Sequence, residues 1–200
     1  MTARDEILAR IHTSLADAPD PPPIPPTPPG VRLDDPLDRF VDRLVDYKAV
    51  VSRCAAGEVA RAVGAALDGV GSVVVPDDAP RDWLQDFPGT VVSDEPSTDL
   101  DAVGAVLTGC AVAIAETGTI VLDAGVAQGR RALSLIPDHH VCVVRADQVL
   151  PDVGDAVARL TPTRPLTWIS GPSATSDIEL NRVEGVHGPR RLHVVLVEYA

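Results

Sequence analysis

Aromatic residues make up only 3 % of this 200-residue chain. Its core must therefore be filled by Val, Leu, Ile and Ala, a composition that suits the short β-branched strands of a parallel sheet covered on both faces. Cysteine is equally sparse: Cys54, Cys110 and Cys142 lie far apart and form no C-x-x-C pair. That excludes the usual spacings for iron–sulfur and structural zinc ligation, and an odd, scattered set makes no secreted disulfide framework. Each cysteine sits in an apolar stretch and is expected to be a small buried thiol. No run approaches the roughly 18 apolar residues of a membrane span, and the first residues hold no signal-peptide core. The expected location is the cytoplasm. Positive charge is also short, with 17 basic against 29 acidic residues and a formal charge of −12. Phosphate backbones repel such a chain, and the nearest basic patch, Arg130-Arg131, is two residues long. The glycine patterns of P-loops and of Rossmann dinucleotide sites are missing.

Proline is abundant but localised: of nineteen, eight fall between Pro19 and Pro29. Ahead of them, residues 3–16 place Ile7, Leu8, Ile11 and Leu15 on one helical face. The expected organisation is an amphipathic helix over 1–18, an extended Pro-rich linker over 19–30 and one domain over 31–200. The helical arm either docks on a partner or folds back on its own domain.

Within the domain, Asp34-Asp-Pro36 signals a helix start, and Leu37, Phe40, Val41, Leu44 and Val45 repeat at helical spacing. Further helices are predicted over 57–67, around Trp83, over 130–136 and over 153–160. Short apolar runs predict strands at 49–51, 73–75, near Val91, and at 105–107, 111–115, 118–122, 140–144, 166–169 and 192–197. This alternation predicts an α/β fold, three layers with a mostly parallel central sheet between helices.

Ligands of such sheets bind beyond the carboxyl ends of the strands. Two polar segments are expected there. In Ala115-Glu-Thr-Gly-Thr-Ile120, a carboxylate and two hydroxyls interrupt an apolar run. Glu116 is the candidate acid, base or nucleophile, with Thr117, Gly118 and Thr119 as ligand contacts. The alternative is a β-hairpin with a polar turn. The second segment, Ile169-Ser-Gly-Pro-Ser-Ala-Thr-Ser-Asp-Ile-Glu-Leu180, offers Gly171, Ser173, Ala174, Thr175 and Ser176 ahead of a helix-like start at Asp177. Hydroxyls and unpaired N–H groups at a helix start suit an anion; a simple Ser/Thr cap is the alternative. Arg182 and His187 follow and could complete the pocket, Arg182 by clamping a carboxylate. His139-His140 opens a strand, so the two rings face opposite ways and cannot share a metal. No metal site is predicted, and no complete catalytic set.

Three segments, Glu116-Thr-Gly-Thr-Ile-Val-Leu122, Gly129-Arg-Arg-Ala-Leu133 and Pro137-Asp-His-His-Val-Cys-Val-Val144, resemble the lactate-utilisation (LUD) domain family. So does the run from Ser170 to Pro189, which looks like the C-type subunit rather than the cluster-bearing B-type. The resemblance spans about residues 35–198 and is tight from 105 onward. It implies a fold like the NagB, ribose-5-phosphate isomerase and CoA-transferase group. It also implies a non-cluster subunit that supports oxidation of L-lactate to pyruvate with A- and B-type iron–sulfur subunits. With the polar segments above, the expectation is a small anionic ligand and no iron–sulfur cluster on this chain, and no cofactor is identified. Glu116-Thr-Gly118 is similar to the Glu-x-Gly loop that bears the nucleophile of CoA-transferases. A free-standing enzyme of CoA-transferase or sugar-phosphate type, or a non-catalytic assembly subunit, are the alternatives.

Overall fold

Asp35 starts the domain. Its carboxylate accepts from the N–H groups of Leu37 and Asp38, and Pro36 presets the first turn of a helix. The structure is a computed structural model that describes residues 2–19, 22–23, 30, 33–176, 182–184 and 188–199. In chain order the regular elements begin with helices α1 (Ala3–Leu15) and α2 (Pro36–Asp46), strand β1 (Val50–Ala55), helix α3 (Val59–Ala66) and strand β2 (Ser72–Val75). Strands β3 (Thr90–Ser93), β4 (Ala105–Thr108), β5 (Val112–Ile114), β6 (Thr119–Leu122) and β7 (His139–Arg145) follow. The rest are β8 (Val149–Leu150), α4 (Val153–Arg159), β9 (Thr167–Ile169), β10 (Ala174–Ser176), β11 (Arg182–Glu184) and β12 (Arg191–Glu198).

Six strands form a wholly parallel central sheet in the order β1-β12-β7-β4-β2-β3. Alternate residues of its strands face two cores. On one side Val141, Val143, Val195 and Val197 pack against Val59, Ala62, Val63 and Ala66 of α3. On the other, Cys142, Val144, Val194 and Leu196 pack against Phe40 and Leu44 of α2. The mixed α/β fold with a mostly parallel sheet and flanking helices is the expected one.

The sequence did not signal a second sheet. Strands β8-β5-β6-β9 form it, with β5 and β6 antiparallel in a hairpin and β6 antiparallel to β9. It shares the α2 side of the central sheet: Ala113, Ala115, Ile120 and Leu122 enter the α2 core. Its outer face, Val112, Ile114 and Val121, is covered by Ala156 and Leu160 at α4. The helix expected over 130–136 is a single 3-10 turn, Arg131–Ser134. Gly129, at φ +65°, and Pro137 bracket a segment too short for more, and Leu133 anchors it in the cluster of Val74, Leu100 and Val106. Helix α1 buries no residue, and Ile7, Leu8, Ile11 and Leu15 are exposed along it.

Candidate functional site

The turn between β5 and β6 holds the first predicted segment. Ala115 to Gly118 close it, with the Gly118 N–H donating to the Ile114 carbonyl at 2.9 Å and Gly118 at φ +63°. The hairpin alternative is the one observed. Glu116 is fixed through its backbone: its N–H donates to the Pro151 carbonyl at 3.1 Å, and its carbonyl accepts from Arg43 Nε at 3.2 Å. Gly118 is required by packing, since a Cβ there would sit 2.6 Å from the Arg43 Cβ.

Strand β9 delivers the second segment, but within the smaller sheet. The loop 170–173 consequently lies beside the amino ends of β7 and β12, not at the carboxyl edge. It lines a cavity of about 250 Å³ with Ser134, His140 and Leu192. Thr175 and Ser176 belong to β10, which pairs with β11 in an antiparallel ladder. For Ala174, Thr175, Ser176 and Arg182 only the backbone is described, and Asp177 and His187 lie outside the described residues. Gly171 stands at φ +88°, where a Cβ would come within 2.6 Å of the Tyr47 Cβ. Its freedom lets the loop close against the end of α2, while Gly171 also lines the cavity.

The two segments do meet. Thr117 Oγ1 and Thr119 Oγ1 are 2.7 Å apart, and Thr119 Oγ1 and Ser170 Oγ 2.8 Å, giving a chain of three hydroxyls. Nearby, His140 is buried and its Nε2 lies 2.7 Å from Thr108 Oγ1. Burial, reinforced by His139, lowers the His140 pKa to about 4, so its ring is neutral at physiological pH. His139 faces the opposite side of the sheet, as strand alternation requires. Among the described residues no group of three or more His, Cys, Asp or Glu side chains could hold a metal.

The carboxyl edge of the central sheet carries a different site. From β2 the chain steps to β3 on one side and then returns to β4 on the other, so the strand order reverses between β2 and β4. Such switch points leave a crevice beyond the strand ends. A cleft of about 390 Å³ lies there, lined by Trp83 after β2, Gly109 and Cys110 after β4, and Arg145 at the end of β7. The loop 123–128 crosses its floor. The Gly109 N–H donates to the Ala127 carbonyl at 2.7 Å, and the Ala127 N–H to Asp78 Oδ1 at 3.0 Å. Ala124 and Ala127 hold φ +54° and +58°, each at a cost of about 1–2 kcal/mol for a residue with a Cβ. Gln128 Oε1 accepts from the Asp123 N–H at 2.6 Å, and Arg164 Nη1 donates to Asp123 Oδ2 at 2.7 Å. Gln148 braces the opposite wall, donating to the Cys110 carbonyl at 2.6 Å and accepting from the Arg145 N–H at 2.9 Å. The Cys110 thiol is pushed well above the usual range, by the adjacent Cys142 first and by burial second. That shift disfavours the thiolate, the form in which a cysteine attacks.

These residues escaped the sequence reading because they come from five separated segments and make no motif. One signal was available: Asp123-Ala-Gly125 abruptly ends the apolar run Ile120-Val-Leu122.

The fold is a mixed α/β domain, a mostly parallel six-stranded central sheet with flanking helices and a polar cleft at its switch point. The chain belongs to the LUD domain family, whose model matches residues 89–197. It is 49 % identical to lactate utilization protein C of Deinococcus radiodurans, over 98 % of this chain and 95 % of that protein. Lactate utilization protein C of Geobacillus kaustophilus is 32 % identical over 76 % of this chain and 72 % of its own length. A crystal structure of a DUF162 family protein from Deinococcus radiodurans superposes with a TM-score of 0.69 at 45 % identity, covering 81 % of this chain and 96 % of that one.

Proposed function

We propose that this chain serves lactate utilisation, supporting oxidation of L-lactate to pyruvate in the cytoplasm together with iron–sulfur subunits and binding a small anionic ligand. The observation that carries the reading is the 49 % identity, end to end, with a protein named lactate utilization protein C. The division of labour follows from cysteine placement. Cys54 lies in the core on the α3 side of the central sheet, and Cys110 and Cys142 lie in the core on the other side, so the three cannot converge on one cluster. Electron transfer then falls to partner chains. Deleting the gene should abolish growth on L-lactate and spare growth on pyruvate, with the wild-type gene restoring it. Undiminished growth on L-lactate, in a strain without a second copy, would refute the reading.

A further inference from the structure

We infer that the switch-point cleft binds an organic anion larger than lactate, its charged group among Arg145, Arg159 and Arg164 and its flat body against Trp83. The inference rests on the reading of the chain as an anion-binding subunit and gives that anion a place and a size. Charge is the first argument. The ionised side chains lining the cleft are these three arginines and Asp123, a lining charge of +2, or +1 with Asp147 beside Arg145 counted, in a chain of −12. A positive recess in an acidic molecule concentrates anions, and guanidinium forks match carboxylate and phosphate oxygens. The existing bonds leave the arginines oriented rather than buried. Arg164 rests on Asp123, Arg145 on Asp147 at 3.0 Å, and Arg159 on the Asp147 carbonyl at 3.1 Å.

Size and shape are the second argument. At about 390 Å³ the cleft lies within the range of roughly 300–1,000 Å³ that encloses whole organic ligands, and a three-carbon acid would leave most of it to water. Trp83 is half-buried and, with Pro80, gives the same cleft an apolar wall. The cavity at 170–173 makes the contrast. Its described lining includes Ser134, Ser170, Ser173 and His140 but no Lys or Arg, and His140 is neutral. Hydroxyls there can donate, but nothing described supplies positive charge.

The anionic group could be a carboxylate or a phosphate, so the test uses a ring-bearing example of each: phenylpyruvate and adenosine monophosphate, with neutral adenosine as the control. The chain has two tryptophans, Trp83 and Trp168, so its indole N–H resonances can be assigned with Trp168→Phe in the full-length ¹⁵N-labelled protein. At least one anion should move the Trp83 resonance saturably, while adenosine leaves it in place. Arg159→Met, at an exposed side chain, should weaken that response at least tenfold. Arg164→Met alone would strand the buried Asp123 carboxylate, so it is combined with Asp123→Asn, and the double variant should also bind at least tenfold more weakly. Ser170→Ala, in the other cavity, should leave the Trp83 response as it is. The inference fails if neither anion moves Trp83, or if both arginine variants respond like the wild type. It fails equally if the anions move Trp168 instead and Ser170→Ala removes that shift; the anion would then belong to the hydroxyl cavity. None of these results touches growth on L-lactate, which alone decides the functional reading.

Discussion

Lowering the pH from 7 to 5 should destabilise this protein through His140, and the size of the loss follows from where that ring sits. His140 is 1 % exposed, with Thr108 its hydrogen-bond partner, and its pKa falls from an ordinary 6.5 to about 4. The folded pKa lies below the unfolded one, so the unfolded chain takes up a proton first as pH drops. The stability contributed by the neutral ring is therefore present above pH 6.5 and is lost progressively down to about pH 4. At pH 5 the unfolded imidazole is almost wholly protonated and the folded one about a tenth so. The difference from pH 7 amounts to about 2 kcal/mol for this one ring, approaching about 3 kcal/mol at lower pH. His139 adds a loss of the same sign: burial first, then Arg191 and His193, lower it to about 4 against the opposing pull of Asp138. His193 is lowered in the same direction by burial and Arg191. Asp138 is held below the ordinary carboxylate range by Arg190 and loses its contribution only in stronger acid, below about pH 4, so the window from 7 to 5 belongs to the histidines. Urea unfolding followed by circular dichroism at the two pH values measures the loss. His140→Asn should shrink it by about 2 kcal/mol. Equal stability of the wild type at pH 7 and pH 5, or an undiminished loss in His140→Asn, would refute the assignment.

Two further outcomes follow from packing. Gly171→Ala combines a positive φ with a Cβ 2.6 Å from that of Tyr47, and Gly118→Ala does the same against Arg43; each should cost about 2–4 kcal/mol in urea unfolding. A value near zero would show that the end of α2 yields freely. Removing residues 1–30 should leave a cooperatively melting domain with its midpoint unchanged, because α1 buries no residue; loss of cooperative melting in a thermal scan would show the arm to be integral.

The central sheet was legible because its strands are short Val, Leu, Ile and Ala runs separated by capped helices and turns, and the Asp35-Pro36 helix start was legible for the same local reasons. The hairpin was legible only as the alternative at Glu116, the separate sheet that it starts was not, and the unexpected position of the Ser170 loop follows from that. Strands β5 and β6 are buried along their whole length, lying between the central sheet and α4, so their residues show no alternation and look like parallel strands. Connection length carries the missing information. Only the four residues from Ala115 to Gly118 separate them, enough for a hairpin, whereas a parallel crossover takes a dozen or more. Pairing them antiparallel removes both from the central sheet and draws β9 after them, which carries the Ser170 loop away from the carboxyl edge. The chain between Thr108 and His139 then has to return from the end of β4 to the start of β7, its neighbour in the sheet. On that excursion it builds the hairpin and lays loop 123–128 across the ends of β2 and β4. The polar cleft exists because the hairpin does: Asp123 stands at the point where β6 ends over the switch point, and Arg164 meets it from the segment that leads into β9.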